Sequence, residues 1–232
     1  MLSRMREPWI AAVSPVLTAP FVSAGGIFGQ LAAEGQTADE AAKNPTLIFE
    51  VVTPSFFSTF GIRVLRGRGF SDEDRVGSPP VVVLSESAAR HYWGSADPIG
   101  KRLTARADGG LATVVGIVPE TRYRDLRDPR PTVYFPLRQS SFPFAPMTLS
   151  IRTDARSSNV IPDMRRVITE TEPGVELVSA APFAAFLEQP LAQPRLNAFL
   201  LAVFAGAAVT LAAIGLFAIM AAMVRQRTRE LG

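Results

Sequence analysis

The C-terminal part of the chain contains a long uncharged segment, and this feature most restricts how the chain can fold. No charged side chain occurs from Ala198 to Val224, and no proline interrupts the segment. A helix of about 27 residues is roughly 40 Å long, whereas the hydrocarbon layer of a membrane is about 30 Å thick. Core helices of soluble proteins seldom stay uncharged on every face over so many turns. The segment therefore predicts one transmembrane helix, at about 197–224.

The charges that flank this helix predict its orientation. Arg225, Arg227 and Arg229 follow the apolar segment, whereas Arg195 is the nearest cation before it. Arginine clusters favour the cytoplasmic side of a membrane. Residues 1–190 are therefore expected to form an extracytoplasmic domain, and residues 191–232 to hold the helix and the start of a cytoplasmic segment.

Small residues recur along the predicted helix at a spacing of four. The first set is Ala198, Ala202, Gly206 and Thr210, and a second set is Ala208 and Ala212. Small residues let helix backbones approach closely inside a membrane, so the first set predicts a packing face for other spans. An alanine-rich composition would produce the same pattern without any packing role, and both interpretations stay open.

The first half of the remaining chain alternates between strand and helix patterns. The apolar stretch Trp9–Phe28 is broken by prolines and paired glycines, which predicts a strand and a loop rather than a span. Leu47–Thr53 is β-branched and aromatic, which is typical of a strand. A short helix is bracketed by Pro54 and Gly61, and a second strand begins at Arg63–Leu65. Together these segments predict a β-α-β unit.

The second half continues the mixed pattern. The strand Val81–Leu84 precedes a helix with Ser85 as N-cap and Gly94 just past its end. Further strands are predicted at Ala112–Pro119, Thr132–Leu137, Met147–Thr153 and Val175–Ser179. A helix is predicted at Ser158–Thr171, and residues 181–194 form a helical connector into the span. The fold class is therefore α+β, with a β-α-β lobe, a strand-rich lobe inserted at about 76–145, and a single transmembrane helix.

The sequence offers little that could perform catalysis or bind a metal. The acids Asp72, Glu73 and Asp74 lack the spacing of a calcium loop and are interpreted as a solvated turn. His91 is the only histidine and cysteine is absent, so neither a zinc site of familiar type nor a cysteine nucleophile is expected. Phosphate-binding glycine motifs do not occur. We therefore expect that the protein is not an enzyme and that it binds neither a cofactor nor a metal.

The charge balance also argues against nucleic-acid binding. Lys and Arg number 24 against 21 Asp and Glu, which gives a net charge of only +3. The cations are scattered among acids along the chain, whereas a nucleic-acid interface gathers them on one face.

Several phrases, taken in order, resemble one family. The phrases "VVTPSFFSTFGIRVLRGRGFSDED", "VVVLSESAARHYWGSADPIGKRL" and "ATVVGIVPETRYRDLRDPRPTVYFPL" resemble the MacB-like periplasmic core domain, although Ser85 stands where that family commonly has Asn. The ending "RQRTRELG" resembles the start of the membrane region of FtsX-like permeases. The resemblance covers about residues 49–232, and residues 1–46 match only loosely.

The resemblance implies a subunit of an ABC-type transporter or envelope-remodelling complex in the inner membrane. It implies a cytoplasmic ABC ATPase as partner, further permease helices in a homo- or pseudo-dimer, and a porter-like lobe with an inserted second lobe. Arg225, Arg227, Arg229 and Glu230 would then couple to the ATPase. The family also has a span before the external domain and more after it, so the chain is expected to be a fragment. A membrane-anchored sensor or ligand-binding module is the alternative, and an envelope hydrolase built around His91 is a third hypothesis.

Overall fold

The structure is a computed structural model of the chain. It describes residues 10–16, 27–105, 110–122, 124, 128–140, 148–153, 160–171 and 179–230. The chain divides into two compact units, Met1–Ala181 and Pro182–Gly232.

The first unit mixes short strands and helices, as the α+β prediction requires. Its strands are β1 (Ile10–Val16), β2 (Ile27–Gly29), β3 (Ala32–Ala33), β4 (Leu47–Val52), β5 (Arg66–Gly67), β6 (Val81–Ser85), β7 (Arg102–Thr104), β8 (Leu111–Val118), β9 (Thr132–Pro136) and β10 (Thr148–Thr153). Its helices are α1 (Ala38–Ala41), α2 (Phe56–Phe60), α3 (Glu86–Trp93) and α4 (Val160–Thr171). The second unit contains α5 (Ala185–Glu230).

Eight strands form one curled sheet. The strand order is β2-β4-β9-β6-β8-β7-β3, and β5 pairs with β8 beside this path. The strands at the two ends of the order, β2 and β3, are separated along the chain only by Gln30 and Leu31. One short stretch of chain therefore pairs with both ends of the sheet, which curls the sheet towards closure and protects its edges. The Tyr92 hydroxyl of α3 holds this stretch by donating to the Leu31 carbonyl at 2.9 Å.

Strand β6 lies at the centre of the sheet and is buried on both faces. Val82 and Leu84 pack in a core cluster that includes Ala88 and Ala89 of α3, whereas Val81 and Val83 pack with α2 on the opposite face. All five residues of β6 are buried. A continuous apolar run, rather than an alternating one, is what a strand covered on both sides requires.

A second sheet holds only β1 and β10, which pair antiparallel. Helix α4 covers it with Val167 and Ile168, which pack against Ile10, Leu149 and Ile151. Two strands alone are marginally stable, so this helix supplies the apolar layer that the pair needs.

Most of the predicted elements are confirmed. Strands occur where Leu47–Thr53, Val81–Leu84, Ala112–Pro119, Thr132–Leu137 and Met147–Thr153 predicted them, within one or two residues. The Ser85 hydroxyl accepts a hydrogen bond from the Ala88 amide at 3.5 Å, and Gly94 ends α3 with φ +59°, as predicted from capping. Strand β1 lies in the stretch predicted to hold a strand and a loop. The strand predicted at Val175–Ser179 falls largely outside the described residues.

The β-α-β unit predicted for residues 47–65 is different in the structure. Strand β4 pairs with β9, whereas β5, the strand that follows α2, pairs with β8. Three strands, β9, β6 and β8, therefore lie between β4 and β5. The second strand is also displaced, to Arg66–Gly67. Two glycines explain the pairing with β8: a Cβ on Gly67 would collide with the Val115 carbonyl oxygen, and one on Gly116 with the Arg68 carbonyl oxygen. The bounds of an inserted lobe, about 76–145, stay a prediction.

Candidate functional site

The second unit consists mainly of one long helix. Helix α5 spans 46 residues, which corresponds to about 69 Å. Helix α5 begins at Ala185, so residues 185–194 of the predicted helical connector are continuous with the predicted span, whereas residues 181–184 are not helical. One unbroken helix therefore extends beyond the apolar segment at both ends.

The apolar part of α5 is long enough to cross a membrane. By length and composition, Leu196–Met220 is the one candidate span among the described residues, and none of it is buried. Large apolar side chains lie open along its length, with Phe217 71% and Leu211 69% exposed. An apolar surface of this extent needs lipid or protein to cover it.

The residues of the predicted packing face all lie exposed on α5. Ala198, Ala202, Gly206 and Thr210 follow one another at single-turn spacing on the same side of the helix. The Thr210 hydroxyl donates to the Gly206 carbonyl at 2.8 Å, so the polar side chain of this face is satisfied within its own helix. A Cβ placed on Gly206 would have no atom within 4 Å. The described residues therefore leave room for a partner backbone beside Gly206.

The predicted juxtamembrane residues occupy the last turns of the same helix. Arg225, Arg227, Arg229 and Glu230 lie within the bounds of α5. Their side chains are outside the described part of the structure, and their role in ATPase coupling stays a prediction.

The acidic turn differs from its predicted solvated form at one position. Asp72 and Glu73 are exposed, but Asp74 is only 4% exposed. Arg68 donates to both Asp74 carboxylate oxygens at 2.8 and 2.9 Å, and the Ser71 amide donates at 2.7 Å. The guanidinium of Arg68, which is half exposed, therefore compensates the charge of a buried carboxylate.

This burial affects the ionisation of Asp74. Desolvation alone would raise the pKa of the carboxyl group, but the hydrogen bonds from Arg68 and Ser71 and the charge of Arg68 outweigh it, and the pKa lies below its ordinary value. The described residues contain no group of three or more acids or histidines that could hold a metal. The half-exposed Arg68 and the buried Asp74 form an ion pair that holds the turn.

His91 lies exposed near the end of α3. The His91 and Tyr92 rings lie nearly perpendicular to each other at a centroid distance of 5.7 Å. Burial, opposed by the Leu31 hydrogen bond, raises the pKa of Tyr92 to about 12.

Sequence reasoning missed a buried ion pair between Glu50 and Arg124. The Arg124 Nε donates to Glu50 Oε1 at 2.6 Å and its Nη2 donates to Oε2 at 3.0 Å. Nearby, the hydroxyls of Tyr134 and Thr121 are 3.1 Å apart, and desolvation raises the pKa of Tyr134. The signal was present in "LIFEVV", because a glutamate inside an apolar strand needs a buried partner.

A chain of hydroxyl groups links the two sheets of the first unit. The fully buried Ser14 of β1 lies 2.9 Å from the Thr53 hydroxyl, which in turn lies 3.1 Å from the Ser55 hydroxyl. Ser55 then donates to the Val13 carbonyl at 2.6 Å. These contacts join β1 to the turn between β4 and α2, and nothing in the local sequence pattern indicated them.

Comparison with known proteins shows which family the first unit is similar to. A family model described as the MacB-like periplasmic core domain matches residues 2–181. No curated protein matches the chain.

Solved structures with similar folds have low sequence identity. The periplasmic region of MacB from Actinobacillus actinomycetemcomitans is 16% identical, with a TM-score of 0.51, over 73% of this chain and 71% of that chain. The extracellular domain of the noncanonic ABC-type transporter YknZ from Gram-positive bacteria is 16% identical, with a TM-score of 0.48, over 75% and 83%. A domain of a putative permease from Porphyromonas gingivalis is 15% identical, with a TM-score of 0.48, over 74% and 73%. At 16% identity, the similarity to the periplasmic region of MacB bears on the fold alone.

Proposed function

Because this chain belongs to the family of the MacB-like periplasmic core domain, we propose that it is a non-enzymatic permease subunit of an ABC-type transporter or envelope-remodelling complex. Its first unit lies outside the cytoplasm, α5 crosses the inner membrane, and a cytoplasmic ABC ATPase drives movement of the external unit through this helix. The observation that carries the proposal is the joint presence of the family domain and a fully exposed apolar helix directly after it.

The length of α5 supports a role in transmission. The candidate span of 25 residues is about 37 Å long, which exceeds the hydrocarbon thickness of about 30 Å. The helix also continues past this span towards both surfaces of the membrane. Because the helix is continuous through the span, displacement at its cytoplasmic end would be carried across the membrane to its external end.

The charged residues after the span support a cytoplasmic segment of the kind that begins an FtsX-like permease region. The three arginines after Val224 favour the cytoplasmic side. The face formed by Ala198, Ala202, Gly206 and Thr210 would pack against other permease helices, within a homo- or pseudo-dimer. Faces built on residues four apart favour a crossing angle of about −40°.

Co-purification with the ATPase tests this proposal. The full chain is affinity-tagged and isolated from detergent-solubilised membranes of its native host, and any ABC ATPase that accompanies it is identified by mass spectrometry. We expect the ATPase to accompany the parent chain and to be lost when Arg225, Arg227 and Arg229 are all replaced by Gln. The matched control replaces Arg165 and Arg166, two exposed arginines of α4, and should retain the ATPase.

The outcome also separates this proposal from the alternative of a membrane-anchored sensor. A sensor would show no association with any ATPase and would gain thermal stability when its ligand is added. Absence of the ATPase from the parent preparation would therefore contradict the proposed function.

A further inference from the structure

Helix α5 contains two prolines in its interior. Pro190 and Pro194 lie between its first residue, Ala185, and the candidate span that begins at Leu196. The backbone stays helical through both. A proline inside a helix has no N–H to donate to the carbonyl four residues earlier, and its ring pushes that carbonyl aside.

The spacing of the two prolines makes both of them bend the helix in nearly the same direction. Pro190 cannot donate to the carbonyl of Phe186, and Pro194 cannot donate to the carbonyl of Pro190 itself. Residues four apart lie about 40° from each other around the helix axis. Both missing hydrogen bonds are thus on nearly the same side, and kinks at prolines bend a helix away from that side.

The position of the prolines relative to the span is equally specific. Pro190 precedes Leu196 by six residues, which is about 9 Å along the axis. The carbonyls of Phe186 and Pro190 would therefore lie in the wet interfacial region, where water can bind them. Inside the hydrocarbon the same unpaired carbonyls would be costly, and the span itself contains no proline.

We infer that residues 186–194 of α5 form a bending joint just outside the membrane, at which the external end of the helix pivots on a stiff span. This inference rests on the proposed membrane span. The joint confines bending to one place and sets its direction, because the helix opens on the side of Phe186 and Pro190. Motion of the span would then reach the external end of the helix as a tilt as well as a translation.

Hydrogen exchange of the full chain in lipid nanodiscs tests the joint. The backbone amides of residues 191–193 lie between the two prolines. We expect them to exchange at least tenfold faster in the parent chain than in the Pro190→Ala/Pro194→Ala variant, which restores both hydrogen bonds. The matched control, Gln189→Ala/Gln193→Ala, has the same spacing but changes no backbone donor, and should exchange as the parent does once intrinsic rates are corrected.

A difference of less than threefold between the parent and the proline variant would overturn the inference, as would equal slowing in the glutamine control. The amides of residues 200–220 report separately on the proposed span. Their rapid exchange in all variants would contradict the membrane location, whatever the result for residues 191–193.

Discussion

The guanidinium group of Arg124 binds both carboxylate oxygens of Glu50 in the interior of the first unit, where the two side chains are only 8% and 4% exposed. Glu50 lies two residues before Val52, so it shares the strand face that packs with α2. The pair therefore places two opposite charges beside an aromatic core, where neither could remain alone.

Removing one partner should destabilise this unit strongly. We expect Arg124→Met to lower the free energy of unfolding by about 3–5 kcal/mol, because the Glu50 carboxylate is left buried without compensation. The double variant Glu50→Leu/Arg124→Met should recover most of this loss, since it buries no charge. Urea unfolding of the full chain in detergent, followed by tryptophan fluorescence, measures both. A double variant as unstable as the sum of its single changes would contradict this account.

The Arg68–Asp74 pair should make stability depend on pH at the acidic end. The pKa of Asp74 is lowered in the folded chain, so its contribution is complete well above the ordinary value of 3.8 and is lost as the pH falls through and below that value. We expect Asp74→Asn to remove this component and to flatten the stability profile between about pH 5 and pH 2. Asp72→Asn is the control, because the Asp72 side chain is 81% exposed and exposed ion pairs contribute little. Equal flattening by both substitutions would argue against the buried pair.

The close approach of β5 and β8 should make Gly116 intolerant of a side chain. A methyl group there would collide with the Arg68 carbonyl oxygen, a backbone atom that cannot rotate away. We expect Gly116→Ala to cost about 2–3 kcal/mol of unfolding free energy. Gly69→Ala is the matched control, because its Cβ would meet side-chain atoms at ordinary contact distances of 3.5 and 3.7 Å. Similar urea midpoints for the two variants would show that the strands can separate at little cost.

Local signals in the sequence predicted the individual elements well, because each depends on residues close along the chain. The uncharged run of Ala198–Val224 predicted a helix, and the apolar run of Val81–Leu84 predicted a strand. The Ser85 cap placed the start of α3 through one hydroxyl and one amide three residues apart. These features need no knowledge of what packs against them.

Strand order and buried polar pairs could not be predicted in this way. Whether β4 pairs with β5 or with β9 depends on contacts about 80 residues apart, and the closure of the sheet depends on a short stretch that pairs at both ends. The acidic turn looked solvated because its charges are adjacent in sequence, yet Asp74 turns inward to Arg68. Partners such as Arg124 for Glu50 lie too far along the chain for a local pattern to connect them.

The face of α5 used in helix packing can be distinguished by two matched substitutions. Gly206→Leu would prevent a second helix from approaching the face formed by Ala198, Ala202, Gly206 and Thr210. We expect it to reduce association between chains in detergent or nanodiscs at least tenfold. Ala208→Leu adds similar bulk about 200° around the helix from Gly206 and should have little effect. Cross-linking or single-molecule fluorescence yields measured dimer fractions. The reverse result would move the contact to Ala208 and Ala212, and no effect of either would argue against a packing role.

The central claim is that α5 crosses the membrane with the first unit outside the cytoplasm, and measuring its orientation tests this most directly. Because the chain contains no cysteine, a single introduced cysteine is the only thiol that a maleimide can label. Val76, 81% exposed on the first unit, and Arg227, after the span, are each replaced by Cys in separate full-length variants. Intact spheroplasts are then treated with a membrane-impermeant maleimide. We expect the Val76→Cys variant to be labelled in intact spheroplasts and the Arg227→Cys variant only after lysis, with both proteins resistant to carbonate extraction. Labelling in the opposite order, or release of the protein into the soluble fraction, would contradict the account.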